Sequence, residues 1–126
     1  MIGYITLGTN DLGRASTFYD DLLSVIDGKR MMDEETFVAW NTAPGQPAIS
    51  VIKPHDGNEA TVGNGVMVAI AVDAPAKVDA LYKKAIALGA KDEGAPGDRG
   101  GGFYAGYFRD LDGNKLNAFC MTGASA

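Results

Sequence analysis

A chain of 126 residues with 46% hydrophobic and 21% charged residues has the balance of a folded protein, not a disordered one, and can bury a core without staples. Its net charge of −5 works against nucleic acid or an anionic membrane surface as a partner, and no run approaches the ~18 apolar residues of a membrane span. One cysteine, Cys120, and one histidine, His55, rule out an internal disulfide and a Cys/His zinc site within one chain.

Ile2 to Gly8 alternates, with Ile2, Tyr4 and Thr6 on one face and Ile5 and Leu7 on the other, which predicts a strand. No signal-peptide pattern precedes it, and with the lone thiol this points to a cytoplasmic location. Asn10 or Asp11 is placed to cap a helix. Leu12, Ala15, Phe18, Tyr19, Leu22, Leu23 and Ile26 then recur at helical spacing, and Gly28 is expected to end that helix. Lys29–Met32, Thr36–Trp40 and Ala48–Lys53 read as strands, with an acidic turn at Asp33-Glu34-Glu35. Pro54 to Gly65 is turn-rich and polar, and is the candidate linker.

The pattern restarts at Val66–Val72, a strand, followed by a helix that Ala74 or Pro75 opens. Val78, Leu81, Tyr82, Ala85, Ile86 and Leu88 form its buried stripe, and Gly89 closes it. Ala90–Ala95 is expected to hold a short strand, and Pro96–Gly102 a glycine-rich loop carrying Asp98 and Arg99. Two final runs, Phe103–Arg109 and Lys115–Cys120, are joined by Asp110-Leu111-Asp112-Gly113-Asn114, residues suited to a turn. On the last strand Lys115, Asn117 and Phe119 share one face, and Leu116, Ala118 and Cys120 the other. The small, polar tail Thr122–Ala126 is expected to fray.

The order strand-helix-strand-strand-strand thus occurs twice. A shift of 63 residues lays Tyr4 on Met67 and Phe18-Tyr19 on Leu81-Tyr82; a shift of about 67 lays Ser50 on Asn117 and Trp40 on Tyr107. Two such units place a helix on one face of each sheet and leave the other faces to line a cup.

Ile5-Thr6-Leu7-Gly8, Asn10-Asp11-Leu12, Ala15 and Phe18-Tyr19 resemble the opening of the vicinal oxygen chelate superfamily (glyoxalase, bleomycin resistance protein, extradiol dioxygenase). Phe108-Arg109-Asp110-Leu111-Asp112-Gly113-Asn114-Lys115-Leu116 is similar to its closing signature, with Leu111 where proline is usual. The resemblance covers essentially the whole chain. It implies an α+β fold of paired βαβββ modules forming a curved mixed sheet around a cup, within one domain over residues 1–126. Module one would span about 1–54, the linker 55–65 and module two 66–121. It also implies a homodimer. Metal-using members carry His or Glu at positions that match Tyr4, Ser50, Met67 and Asn117. A phenol, a hydroxyl, a thioether and a neutral amide do not replace the water of a divalent transition ion, so neither a metal nor another cofactor is expected.

The cup is expected to be lined by Tyr4, Thr6, Trp40, Ser50, Met67, Tyr107, Arg109 and Asn117, aromatic and apolar with a few hydrogen-bonding groups, as small-molecule pockets are. The competing reading is that the aromatics and Met67 simply pack there. Asn117 either orients a ligand or pairs with Tyr4 across the cup. Arg109 either meets an anionic group of the ligand or bridges a nearby acid. Arg99 reads as part of a solvated loop, His55 as a surface residue, and Cys120 as a small buried hydrophobe. The expected function is metal-free binding of a small apolar or aromatic ligand, or an anionic one through Arg109. The alternative is a lyase or isomerase of the glyoxalase kind, or a dioxygenase-related enzyme, using a mis-registered metal site or Tyr and Arg side chains.

Overall fold

A computed structural model describes residues 1–122. Two units of the same order follow one another: β1 (Tyr4–Gly8), α1 (Leu12–Ser24), β2 (Lys29–Asp33), β3 (Phe37–Asn41) and β4 (Ala48–Ile52), then β5 (Val68–Ala71), α2 (Pro75–Ala87), β6 (Lys91–Asp98), β7 (Phe103–Arg109) and β8 (Lys115–Met121). They form two separate four-stranded mixed sheets, ordered β1-β4-β3-β2 and β5-β8-β7-β6. In each, the first strand runs parallel to the last and the rest are antiparallel. The α+β class and the paired βαβββ order are as the sequence indicates.

Asp11 caps α1, its side chain accepting from the Arg14 N–H. Pro75 opens α2, where a missing N–H costs nothing. Helix α1 buries Ala15, Phe18, Tyr19, Leu22 and Leu23, and α2 buries Val78, Leu81 and Ala85. These stripes meet Leu7, Val38, Trp40 and Val51 of the first sheet and Ile70, Phe108, Leu116, Ala118 and Cys120 of the second, in one continuous core. Cys120 is therefore a buried small hydrophobe, as expected, and His55 is exposed in a turn.

Strand alternation fixes what the helix-free faces carry. Tyr4, Thr6, Phe37, Ala39, Ala48 and Ser50 share one such face; Ala69, Tyr107, Arg109, Lys115, Asn117 and Phe119 share the other, with Met67 just before β5.

Several boundaries differ from those read in the sequence. Helix α1 ends at Ser24, and the left-handed residue past it is Asp27 (φ 61°), not Gly28. Gly28 is needed for a different reason: its N–H bonds the Leu23 carbonyl at 2.8 Å, and a Cβ there would meet the Leu23 Cβ at 2.8 Å. Strand β6 runs on through Pro96, Gly97 and Asp98, which the sequence reading assigned to a loop. It does so by slipping register between Asp92 and Gly94 and again between Gly94 and Gly97, irregularities that no periodicity announces. The tail expected to fray lies outside the described residues, apart from Thr122.

Candidate functional site

Ser50 and Asn117 occupy equivalent places. Ser50 lies on β4 opposite Thr6 of β1 and Ala39 of β3; Asn117 lies on β8 opposite Ala69 of β5 and Tyr107 of β7. Each sits in the interior of a helix-free face, 0% and 1% exposed respectively. Neither Ser50 Oγ nor Asn117 Oδ1 has a hydrogen-bond partner among the described residues. Buried polar atoms are almost always bonded, because an orphaned one costs roughly 1–3 kcal/mol, so two at matched positions need a reason.

Around Ser50, Tyr4 and Phe37 stand on the flanking strands with ring centroids 6.4 Å apart, and Tyr4 is 64% exposed. Thr6 is exposed beside them. Around Asn117 stand Tyr107 and Phe119, the latter against Phe103 at 5.5 Å. Each face thus has a polar atom at its centre and aromatic rings around it. No bond joins Asn117 to Tyr4, so that half of the sequence expectation is not realised.

Of the eight expected residues, one lies elsewhere and a second is shared with another cavity. Trp40 is buried under α1, its ring 5.6 Å from that of Tyr19 and its indole N–H donating to Asp20 Oδ1 at 2.8 Å. The sequence repeat laid Trp40 on Tyr107, but the residue that faces Ser50 as Tyr107 faces Asn117 is Ala39. A one-residue slip reverses the face of a strand, which is why the tryptophan belongs to the core. Met67, 40% exposed, is shared with a groove of about 590 Å³ between β5 and Ile2, Ile5, Leu23, Ile26, Trp40 and Ile49. Tyr4, Thr6 and Ser50 are brought together on the first sheet, and Tyr107, Arg109 and Asn117 on the second.

Arg109 is held by Glu93 through its Nε and by the Gly113 carbonyl through Nη1 at 2.9 Å. The bridge to a nearby acid is the alternative that the structure contains, and the guanidinium holds the Glu93 carboxyl below its usual range. Lys115, which the sequence places on Asn117's face, and Arg99 were not among the eight, yet both stand over the Tyr107 ring, at 5.5 and 5.4 Å from its centroid. Arg99 donates through Nη2 to the carbonyls of Ala95 and Ala105. The glycine-rich segment is a bonded turn: the Arg99 N–H meets the Phe103 carbonyl at 2.7 Å and the Phe103 N–H meets that of Gly100 at 3.1 Å.

Tyr4, Ser50, Met67 and Asn117 present a phenol, a hydroxyl, a thioether and an amide, a donor set that does not fit a divalent transition ion. Among the described residues no three His, Cys, Asp or Glu side chains converge on a point where an ion would sit.

The profile of the Glyoxalase/Bleomycin resistance protein/Dioxygenase superfamily matches residues 1–118. The chain is similar to a crystal structure of a glyoxalase/bleomycin resistance protein from Albidiferax ferrireducens T118, at 31% identity and TM-score 0.89, covering 97% of this chain and 99% of that one. It also resembles a hypothetical protein from S. aureus at 25% identity and TM-score 0.74, over 95% of this chain and 92% of that one. A lactoylglutathione lyase from Agrobacterium tumefaciens shares the fold, at 21% identity and TM-score 0.69, over 98% of this chain and 94% of that one. No curated protein sequence matches the chain.

Proposed function

Because the chain belongs to the Glyoxalase/Bleomycin resistance protein/Dioxygenase superfamily, we propose that it binds a small apolar or aromatic molecule, without a metal, on the helix-free faces of its two sheets. The observation that carries this reading is the matched pair of orphaned polar atoms, Ser50 Oγ and Asn117 Oδ1. A face that served only packing would be more stable with Ala and Leu at those positions, since neither polar atom gains a bond. A ligand that moves aside the side chains covering these atoms and bonds them supplies the missing partners, and the aromatic rims supply its apolar contact.

We assign the working form as a homodimer. Ile2, Tyr4 and Met67 are exposed large hydrophobics on or beside β1 and β5, the outer strands that each leave one edge unpaired. Light scattering at micromolar concentration should give twice the chain mass, and a monomer there would remove the assignment.

A fragment panel of aromatic amides, alcohols and acids, followed by thermal shift and ligand-observed NMR, tests the binding. Ligands should raise the melting temperature by mass action, and Ser50→Ala and Asn117→Leu should each weaken them. The reading is overturned if nothing binds, or if both variants bind as the parent does. A fragment that is chemically converted by the parent and left intact by Tyr107→Phe would move the assignment to a metal-independent lyase or isomerase.

A further inference from the structure

The charges around Tyr107 say what kind of group that ligand carries. Of the four arginines, Arg14, Arg30 and Arg109 each hold a carboxylate. Arg99 has no ion pair among the described residues; Lys115 has none either, though its charge reaches the Glu93 carboxylate that Arg109 holds. Acids outnumber bases 16 to 11 in this chain, so a lack of acidic side chains does not explain it. Both cations stand over one ring, that of Tyr107, whose register partner across the strands is Asn117 with its orphaned oxygen.

The backbone is specialised to put Arg99 there. Gly100, Gly101 and Gly102 take φ of 116°, 61° and 84°, which turn the chain back so that Arg99 reaches the Ala105 carbonyl at 3.1 Å. Gly94 (φ 147°) leaves the gap in which the Arg99 guanidinium and the Tyr107 ring meet, and a Cβ there would come within 3.3 Å of Arg99 Nη2 and 3.4 Å of Tyr107 Cδ1. Tyr107 is half-buried, and stacking contributes about 0.5–1 kcal/mol per cation at an exposed site and about 2 kcal/mol at a desolvated one. It does not by itself account for gathering two like charges, which repel one another, at one ring.

We infer that this corner of the second sheet is an oxyanion subsite: the ligand is an aromatic or apolar carboxylate, its carboxylate held by Arg99 and Lys115 and its body laid along Tyr107 towards Asn117. The inference rests on the cup reading above and gives it a ligand class. Arg99 suits the task because one nitrogen, Nη2, makes both of its bonds to carbonyls, leaving the rest of its planar fork for a carboxylate. Lys115 adds a second charge from the neighbouring strand. In a chain with net charge −5 the long-range field opposes anions, so the subsite selects by contact and not by steering.

Matched acid and amide probes make the test: benzoate with benzamide, and phenylacetate with phenylacetamide, titrated by NMR at millimolar concentration against the parent, Arg99→Gln, Lys115→Gln and Asn117→Leu. Circular dichroism and melting temperature establish that each variant folds. The carboxylates should bind about tenfold or more tightly than their amides, a ratio equivalent to roughly 1.4 kcal/mol. Arg99→Gln and Lys115→Gln should each cut that preference without changing amide affinity, and Arg99→Lys should restore part of it. The preference should also fall as salt is raised. Equal binding of acid and amide, still weakened in Asn117→Leu, would overturn this inference and leave the cup reading standing. A preference unchanged in both charge variants would overturn it equally. Binding of neither member of either pair would overturn both readings.

Discussion

Tyr19→Phe isolates a single bond between the two units. The Tyr19 hydroxyl donates to Asp110 Oδ2 at 2.6 Å, joining α1 to the turn between β7 and β8, and the ring is 0% exposed. Phenylalanine keeps the ring contacts to Phe18 at 5.0 Å and Trp40 at 5.6 Å, so only the hydroxyl is removed. Asp110 keeps the N–H groups of Asp112 and Asn114, both at 2.9 Å, and Asn114 Nδ2 at 3.0 Å. A hydrogen bond to a carboxylate contributes about 1.5–3 kcal/mol, and with three bonds remaining the lower half of that range applies. A loss of about 2 kcal/mol lowers the melting temperature by roughly 6–8 °C for a chain of this size. Urea denaturation at constant m-value measures it directly. Tyr82→Phe is the control: its hydroxyl meets Asp92 at 2.8 Å at the surface, where the exchange with water leaves little net effect. A loss under about 0.5 kcal/mol, or one equal to that of Tyr82→Phe, would refute the claim that this bond ties the units together. Burial, and next the Asp110 carboxylate, raise the Tyr19 pKa well above 10.0. With the folded value above the unfolded one, the unfolded chain loses its proton first. The stabilisation is complete below pH 10 and is lost as pH rises towards the folded value. The gap between parent and Tyr19→Phe should therefore narrow in alkaline urea titrations.

Ser50→Ala should raise the melting temperature while weakening ligands, because it deletes an orphaned oxygen at no cost in packing; destabilisation in calorimetry would mean that the oxygen is bonded. Asp20 sits between Arg30 (2.9 and 2.8 Å) and the Trp40 indole, and the Arg30 bond first, then that of Trp40, holds its pKa below 3.8 against an opposing desolvation. Its stabilisation is present above pH 3.8 and is lost as pH falls through the lower folded value, so urea midpoints of parent and Asp20→Asn should converge in acid. Asp27→Gly relieves a left-handed aspartate (φ 61°) and should be neutral or stabilise by up to about 1 kcal/mol in thermal melts. A clear loss would show that the Asp27 side chain contributes to the turn.

The helices were legible because their signals are local: Asp11 and Pro75 at the starts, and apolar stripes at the right period. Faces were legible wherever a strand alternates without interruption, which is why Tyr4, Thr6, Ser50, Tyr107, Arg109 and Asn117 were assigned to helix-free faces. Trp40 is not legible in this way, because the repeat is offset by one residue in β3, and size and aromaticity fit a pocket wall as well as a core. The return of Arg99 to Tyr107 is hidden from the sequence because it depends on three consecutive left-handed glycines and two register slips in β6. Tyr19 and Asp110 are 91 residues apart, and nothing in either neighbourhood announces the other. Asp110 reads as a turn residue, which it also is.

The position of Trp40 has a consequence for watching this protein fold. The only tryptophan belongs to the first unit, against Tyr19 and Asp20, so its emission reports chiefly the assembly of α1 on β3 and senses the second sheet only through the groove it shares with β5. Backbone dichroism sees both. The core runs without a break from Leu7 to Cys120 and is tied at Tyr19–Asp110 and at the Asn114 side chain, which meets the Gly8 carbonyl at 3.0 Å. Fluorescence and dichroism should therefore trace one superimposable transition. In Tyr19→Phe they should begin to separate, the two halves of the repeat melting as neighbours and no longer as one body.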